Sequence, residues 1–240
     1  MDKWIRAQVK AFRQGQALRM SLHLRIQHVC FAASVTALAV TGLSLMLGDS
    51  DFGRWLVASL GGFHFRGVLH RVAAGGLIAC FVYHFGYLIF SSEGRSEFGE
   101  RLIRRRDLGN FFKAFRHGLR PSSEPPHIGK YSLGQKLHYW LSGLLTGAMI
   151  ASGLALWNPT ATMAILPAPV VHLLLAVHSN QALLVVVLVV LWHLYDAHLG
   201  SGRFPMSAVW LTGRMPVDKL KSRHRDEYER LKRLAEDEDA

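Results

Sequence analysis

Three stretches of the sequence contain no Asp, Glu, Lys or Arg. They are residues 26–48, 72–92 and 137–195. Each is at least as long as the roughly 20 apolar residues that an α-helix needs to cross a bilayer, and the third is long enough for two helices. Prolines divide the third stretch, and proline ends helices because it lacks a backbone N–H. These prolines are Pro159, Pro167 and Pro169.

This pattern predicts an all-α integral membrane protein, built as a four-helix bundle over residues 26–198. The expected helices, called I to IV, cover about residues 26–48, 67–91, 134–157 and 169–198. The polar stretch at 92–133 is predicted to be a loop, and a shorter loop joins helices I and II.

The two ends of the chain differ from this central domain. Residues 1–25 combine apolar side chains such as Trp4 with basic ones such as Lys3, which is typical of an amphipathic helix in the membrane interface. A solvated basic arm is the alternative. Residues 199–240 are expected to form a charged cytoplasmic tail, whose last part, 214–240, is helical and exposed.

The distribution of Lys and Arg predicts the orientation of the helices. The N-terminal arm carries six of these residues, the connection between helices II and III ten, and the C-terminal tail nine. The connection between helices I and II carries two, and that between III and IV none. Because positive loops remain on the cytoplasmic side, both termini and the 92–133 loop are expected to be cytoplasmic.

Composition excludes several other classes of protein. Half of the 240 residues are hydrophobic and 19% are charged, whereas soluble domains carry about 25% charged residues. The net charge of +11 does not indicate a nucleic-acid partner, because the positive charge lies between apolar runs and no nucleic-acid motif accompanies it. Cys30 and Cys80 lie inside apolar runs, which indicates buried thiols rather than a disulfide framework. The sequence has no CxxCH motif, so no covalent c-type haem is predicted.

Five of the thirteen histidines lie well inside the predicted spans. They are His28, His70, His84, His178 and His193. Ionisable side chains inside a membrane segment are costly and are usually functional. Histidine is also a common axial ligand of haem iron.

The spacing of these histidines sorts them into two depths. His70 and His84 are 14 residues apart on helix II, which gives roughly 21 Å of depth and returns to within about 40° of the same face. His178 and His193 are 15 apart on helix IV, which gives roughly 22 Å and a mismatch of about 60°. Helices II and IV can therefore each offer a histidine to an outer and to an inner site.

An outer haem b held by His70 and His178 is the favoured interpretation. The inner haem b is then held by His193 and by either His28 or His84. A three-haem variant that uses His84 is one alternative. A haem-free membrane anchor or proton relay that uses the histidines without iron is another.

Several motifs resemble the cytochrome b (gamma) subunit of membrane-bound formate dehydrogenase, and more broadly the haem b subunits of respiratory hydrogenases. They are RIQH at 25–28, LHR at 69–71, GKYSLGQK at 129–136, SGLALW at 152–157 and WHLY at 192–195. The run FPMSAVWLTGR at 204–214 is similar to a related branch found beside multihaem cytochromes c.

The resemblance implies a di-haem electron carrier of the bacterial inner membrane. By position, His28 and His193 would ligate the cytoplasmic-side haem, and His70 and His178 the periplasmic-side haem. A quinone, either menaquinone or ubiquinone, would react near the inner haem. The residues implied there are Ser132, Gly134, Gln135 and Lys136.

The resemblance also implies a partner on the periplasmic side, either an iron–sulfur dehydrogenase subunit or a multihaem cytochrome c. The sequence lacks a molybdopterin, iron–sulfur or hydrogenase motif of its own. The chain is therefore expected to act as the quinone-reducing, or quinol-oxidising, subunit of a respiratory complex.

Three features depart from the family pattern. His84 is an additional histidine at inner depth, and Ser132 stands where an asparagine is expected. Helix IV spaces its histidines by 15 residues rather than 14. A bulge or local unwinding of helix IV would absorb the extra residue.

Overall fold

A computed structural model describes residues 3–120, 127–199 and 206–238. In chain order its elements are α1 (Lys3–Arg13), β1 (Gln16–Leu18), α2 (Leu22–Met46), α3 (Asp51–Ser59), α4 (Gly62–Phe90), α5 (Ser92–Arg101), α6 (Arg105–Leu119), α7 (Leu133–Ala155), α8 (Pro159–Met163), α9 (Ala168–Val187), a π-helical segment (Leu188–Leu199), α10 (Val209–Thr212), β2 (Arg214–Pro216), α11 (Val217–Arg223) and α12 (Arg225–Asp237). Within the described ranges the chain is almost entirely helical.

The predicted helices I to IV correspond to α2, α4, α7 and α9 with its π-helical continuation. Three of them are long and apolar enough to cross a membrane: α2, α4, and the helix from α9 through the π segment. The prediction of an all-α membrane protein is confirmed. The fourth helix, α7, has 23 residues but is less apolar, so the count of four spans stays a prediction.

The prediction of a polar loop at 92–133 is wrong in part, because this stretch contains the helices α5 and α6. The shorter connection between α2 and α4 likewise contains α3. Serine side chains cap two of these helices. Ser50 Oγ accepts a hydrogen bond from Gly53 N at 3.0 Å, and Ser91 Oγ accepts one from Gly94 N at 3.3 Å. Such N-caps stabilise the first turn of a helix. The charge pattern of the sequence alone does not indicate these helix starts.

The chain divides into two compact units. The first unit comprises residues 1–26, 84–140 and 208–240, and the second comprises residues 27–83 and 141–207. The second unit holds most of the apolar helical segments, and His28, His70, His178 and His193 all belong to it. The first unit holds His84 and the residues implied to contact quinone.

The first unit joins the two ends of the chain through a short sheet. Strands β1 and β2 pair antiparallel, with Ala17 opposite Met215. A small core forms beside them from Ala17, Leu220 and Leu231. The C-terminal tail is therefore helical as expected, but the prediction that it is exposed is wrong for Leu220 and Leu231, which are buried because they pack into this core.

Helix α1 also turns apolar side chains into the first unit. Trp4 and Val9 are buried, and α1 packs against α12. Arg13 Nη2 donates a hydrogen bond to Ala235 O at 3.1 Å, which links the two helices. The interfacial position of residues 1–25 stays a prediction, because these contacts are all with protein.

The expected local unwinding of the last helix is present. The segment Leu188–Leu199 is π-helical and contains His193, whereas His178 lies ten residues before it in α9. In a π-helix the hydrogen bonds close at i→i+5 rather than i→i+4, so each residue advances the turn less. The π-helical winding therefore compensates for the one extra residue in the 15-residue spacing between His178 and His193.

Candidate metal centres

Two of the predicted ligands, His70 on α4 and His178 on α9, line one cavity of about 540 Å³ in the second unit. This volume is typical of cofactor and small-molecule sites. Most of the wall is aliphatic, and its members include Leu38, Leu77, Ile150 and Leu175. The cavity therefore combines two imidazoles with a lining that suits a large apolar ligand.

A hydroxyl group fixes the ring of His70. Thr41 Oγ1 lies 2.8 Å from His70 Nδ1 and donates its own hydrogen bond to Ala37 O at 2.6 Å. A hydroxyl has one proton, so a Thr41 hydroxyl that donates to Ala37 O can only accept from His70 Nδ1–H. This contact favours the tautomer of His70 that carries its proton on Nδ1 and leaves the Nε2 lone pair available.

The same arrangement recurs at His178. Ser152 Oγ lies 2.8 Å from His178 Nδ1 and donates to Ala148 O at 2.8 Å. Each hydroxyl thus bonds back to the carbonyl four residues earlier in its own helix and accepts from an imidazole on another. Both histidines of the cavity present an Nε2 lone pair, which is the form that binds a metal.

Glycines lie beside both rings. A Cβ atom on Gly153 would fall 3.2 Å from His178 Cε1, closer than an ordinary contact, and one on Gly42 would fall 3.6 Å from His70 Cε1. The absence of a side chain at Gly153 therefore lets the imidazole of His178 approach α7 closely.

Two arginines line the same cavity. Arg66 Nη1 donates to Thr41 O at 2.6 Å, and the guanidinium of Arg71 lies 5.9 Å from the centre of the Trp157 ring. Guanidinium groups bind carboxylates strongly. The cavity therefore suits a ligand that is mostly apolar and carries acidic groups at one edge, because the two arginines of the wall are positively charged.

The structure also brings His28 and His193 together in the second unit. Their ring centroids are 5.9 Å apart, with an angle of 42° between the planes. Metal–imidazole bonds are about 2.0–2.1 Å long. A single metal ion bound to one nitrogen of each ring would therefore fit between two rings at this separation. His198 also lies nearby, with its ring centroid 6.2 Å from that of His193.

His84 has a different environment, in the first unit. Its Nε2 lies 2.9 Å from the hydroxyl oxygen of Tyr139. The guanidinium of Arg101 lies 5.0 Å from the centre of the Tyr139 ring. The nitrogen that histidine commonly offers to haem iron therefore takes part in a hydrogen bond with a tyrosine.

The residues implied to contact quinone cluster at the start of α7. Ser132 and Gln135 form a reciprocal cap: Ser132 N donates to Gln135 Oε1 at 3.1 Å, and Gln135 N donates to Ser132 Oγ at 3.3 Å. Lys136 is buried, and its Nζ donates to Asp107 Oδ2 at 2.8 Å and to Leu102 O at 2.9 Å. Gln135 and Lys136 thus have defined structural contacts within the protein.

Ser132 and Gly134 line a small cavity of about 130 Å³. Its other polar wall groups include Asn110 and Tyr131, and Phe111 contributes an aromatic wall. Gln135 and Lys136 do not line it. Two of the four implied quinone contacts therefore share a cavity, and two do not.

A buried ionic cluster joins α5 to the residues that directly precede α7, and it is the largest feature that sequence reasoning missed. Glu97 Oε1 accepts a hydrogen bond from Lys130 Nζ, while its Oε2 accepts from Arg101 Nη1 at 3.0 Å and from Tyr131 Oη at 2.8 Å. Burial alone would raise the pKa of Glu97, but the charges of Lys130 and Arg101 outweigh it and hold that pKa below its usual value. Burial raises the pKa of Tyr131, so its hydroxyl stays protonated and donates.

Sequence reasoning also missed Thr41 and Ser152. A weak signal was present, since each is a hydroxyl side chain within a charge-free run. The pairing of each hydroxyl with one histidine depends on how the helices pack, and that information is absent from the spacing along one helix.

Residues 19–205 match the family model of prokaryotic cytochrome b561, and the chain belongs to this family. It is therefore a membrane cytochrome of the haem b type that takes part in electron transfer. The chain is also 25% identical over 201 residues to the formate dehydrogenase cytochrome b556(fdo) subunits of Escherichia coli K12 and of E. coli O157:H7. The alignment covers 83% of this chain and 88% of each relative. The resemblance predicted from the motifs is confirmed.

Proposed function

We propose that this chain is a di-haem b subunit that conducts electrons across the bacterial inner membrane between a periplasmic redox partner and the quinone pool. The observation that carries the proposal is the pair His70 and His178. They share a cavity of about 540 Å³, and each Nδ1 is hydrogen-bonded to a hydroxyl 2.8 Å away. When bound, each haem supplies a one-electron Fe(III)/Fe(II) couple.

At the outer site, His70 and His178 would hold the haem iron, and Thr41 and Ser152 would orient their rings. Arg66 and Arg71 would supply positive charge for the acidic groups of the haem. The aliphatic wall would exclude water from the haem. The two histidines and the two arginines line the cavity, and the hydrogen bonds of Thr41 to His70 and of Ser152 to His178 support the roles of the two hydroxyls.

At the inner site, His28 and His193 are the proposed ligands. Their ring separation of 5.9 Å supports this choice over His84. His84 instead keeps its hydrogen bond to Tyr139 and ligates neither the inner haem nor a third one.

The orientation follows from the distribution of basic residues. Both termini and the connection between α4 and α7 are cytoplasmic, and α7 is the fourth span, because its residues from Leu137 onward carry no charge. Quinone, of the menaquinone or ubiquinone type, reacts at the cytoplasmic start of α7. Ser132 and Gly134 are the proposed contacts, and Gln135 and Lys136 hold the loop in shape.

The relatives named above are subunits of formate dehydrogenase. By analogy, this chain assembles with a catalytic complex whose electron-transferring subunit faces the periplasm. That subunit is an iron–sulfur dehydrogenase subunit or a multihaem cytochrome c. Direction is set by the partner, so the chain reduces quinone or oxidises quinol.

Haem stoichiometry in single histidine variants tests the proposal. His178→Ala is expected to lose the outer haem and His193→Ala the inner one, which leaves one haem per chain in each. His172, an exposed histidine on the same α9, provides the control, and His172→Ala is expected to keep both haems. Retention of two haems in His178→Ala would overturn the proposed outer pair.

The same experiment decides the alternatives. His84→Ala is expected to keep two haems, whereas loss of a haem in this variant would make His84 an iron ligand. A folded wild-type chain that binds no haem would favour the membrane anchor or proton relay.

A further inference from the structure

Helix α6 displays an apolar face that the protein leaves exposed. Five large side chains of this helix are each more than half exposed. They are Leu108, Phe111, Phe112, Phe115 and Leu119. At about 100° per residue, all five fall within an arc of about 100°. They therefore form one continuous apolar stripe.

A second face of α6 is cationic. Arg105, Arg106, Lys113 and Arg116 are exposed and occupy an adjacent arc of similar width. The one acidic residue of the helix, Asp107, is buried and bonded to Lys136. The exposed surface of α6 thus presents apolar and positively charged side chains without a carboxylate.

The third face holds α6 against the first unit. Asp107, Asn110 and Ala114 lie on this side and line the small cavity. Arg104 Nη2 donates to Gly99 O at 3.0 Å, and Lys136 Nζ bonds to both Leu102 O and Asp107. The start of α6 is therefore attached to the end of α5 and to the first turn of α7.

Other contacts of the first unit bring α5 against the ends of two candidate spans. Leu24 at the start of α2 packs with Tyr87 and Leu88 near the end of α4, and Phe98 of α5 packs against them. Both α2 and α4 are candidate membrane spans. Helix α5 thus contacts the ends of both candidate spans, and α6 follows α5 directly in the chain.

We propose that α6 lies in the membrane interface and binds the anionic headgroups of phospholipids. With 15 residues and several charges, α6 does not qualify as a span. A helix with Phe and Leu on one face and Lys and Arg on the polar face is typical of interfacial helices. The aromatic stripe enters the acyl boundary, and the cations contact the phosphates.

Spin labels on the full chain test the depth of the two faces. The chain is reconstituted in phosphatidylcholine:phosphatidylglycerol (4:1) nanodiscs, in a Cys30→Ser/Cys80→Ser background. A label at Phe112→Cys is expected to be more accessible to oxygen than to a water-soluble nickel chelate, and a label at the neighbouring Lys113→Cys the reverse. Greater access of nickel than of oxygen at position 112 would overturn the proposal, as would exclusion of both, which indicates contact with protein.

Hydrogen–deuterium exchange tests the headgroup contact without a label. Exchange of α6 amides is expected to slow severalfold when phosphatidylglycerol is added to phosphatidylcholine nanodiscs. The combined variant Arg105→Gln/Arg106→Gln/Lys113→Gln/Arg116→Gln is expected to lose this effect. Helix α12, in which acidic and basic residues nearly balance, serves as the internal control. Equal exchange of wild-type α6 in both lipids would contradict the proposed binding of anionic lipid.

Discussion

Ser152 Oγ lies 2.8 Å from His178 Nδ1 while donating its own proton to Ala148 O. This hydroxyl therefore favours the tautomer of His178 that carries its proton on Nδ1 and keeps a lone pair on Nε2. The Thr41–His70 contact repeats the arrangement at the second histidine of the cavity. Such hydrogen bonds also raise the basicity of an imidazole and hold its ring orientation.

Removing the Ser152 hydroxyl should weaken the outer site without emptying it. In Ser152→Ala we expect the affinity for the outer haem to fall roughly 10–100-fold, as is typical for loss of such a partner. The midpoint potential of this haem should rise, because a less basic ligand stabilises ferric iron less. Haem titration and a potentiometric redox titration measure the two effects.

The matched control is Ser179→Ala, which removes the hydroxyl of a residue that lines the cavity and leaves the contact between Ser152 and His178 in place. This variant should keep the wild-type potential. An unchanged potential and affinity in Ser152→Ala would mean that the hydroxyl does not act on the iron ligand.

Gly153→Ala should displace the ring of His178. The added Cβ would lie 3.2 Å from Cε1, so the imidazole must shift by a few tenths of an ångström. We expect a lower content or an altered spectrum of one haem, with the other unchanged. Absorbance and electron paramagnetic resonance of the purified chain detect this.

Gly143 lies on the same helix, and a Cβ there would meet nothing within 4 Å. Gly143→Ala should therefore keep both haem signals. Its effect on stability should be neutral or favourable by up to about 1 kcal/mol, because alanine loses less backbone entropy than glycine in a helix. Equal haem loss in both variants would rule out a specific clash with His178.

Glu97→Gln should destabilise the first unit, since it leaves Lys130 and Arg101 buried beside a neutral group. Breaking a buried ion pair costs about 3–5 kcal/mol. The matched control is Glu229→Gln on the exposed side of α12, which should change stability little. Thermal unfolding followed by circular dichroism compares the two variants.

The same carboxylate gives a pH dependence of defined sign. Lys130 and Arg101 hold the pKa of Glu97 below its usual 4.5, so its stabilising effect is present above that pH. The effect is lost as the pH falls through the lower pKa of the folded state. Between about pH 6 and pH 3, the melting temperature of the wild type should fall more than that of Glu97→Gln. Parallel losses would show that Glu97 is not the group responsible.

Filling the small cavity tests the quinone contact. Gly134→Leu adds a side chain to the cavity wall, and quinone turnover in the assembled complex should fall while the haem spectra stay intact. Gly99→Leu on α5 is the control, because a Cβ there meets no atom within 4 Å. Full turnover in Gly134→Leu would move the quinone site elsewhere.

The long helices could be predicted because long stretches without charged residues indicate where they lie. Helix II was expected at about 67–91 and α4 covers Gly62–Phe90, and similar agreement holds for the other three. Even the π-helical segment had a signal, since the 15-residue histidine spacing does not fit a regular α-helix. Burial in lipid constrains every side chain of such a helix, so the pattern is strong.

The connection between α4 and α7 could not be predicted in the same way. Helix α5 carries charges of both signs and α6 begins with two arginines, and a run of this composition resembles a loop when only charge is considered. The contacts of Lys136 with Asp107 and of Lys130 with Glu97 join residues about 30 positions apart, so neither follows from local pattern. Strands β1 and β2 pair across almost the whole chain.

The haem content of the purified wild-type chain tests the di-haem proposal most directly. A pyridine haemochrome determination, paired with a reduced-minus-oxidised spectrum, gives the number of b haems per polypeptide. Two haems are expected, one for His70 with His178 and one for His28 with His193. A value of three would make His84 a ligand, and a value of one or none in a folded sample would contradict the two-site arrangement.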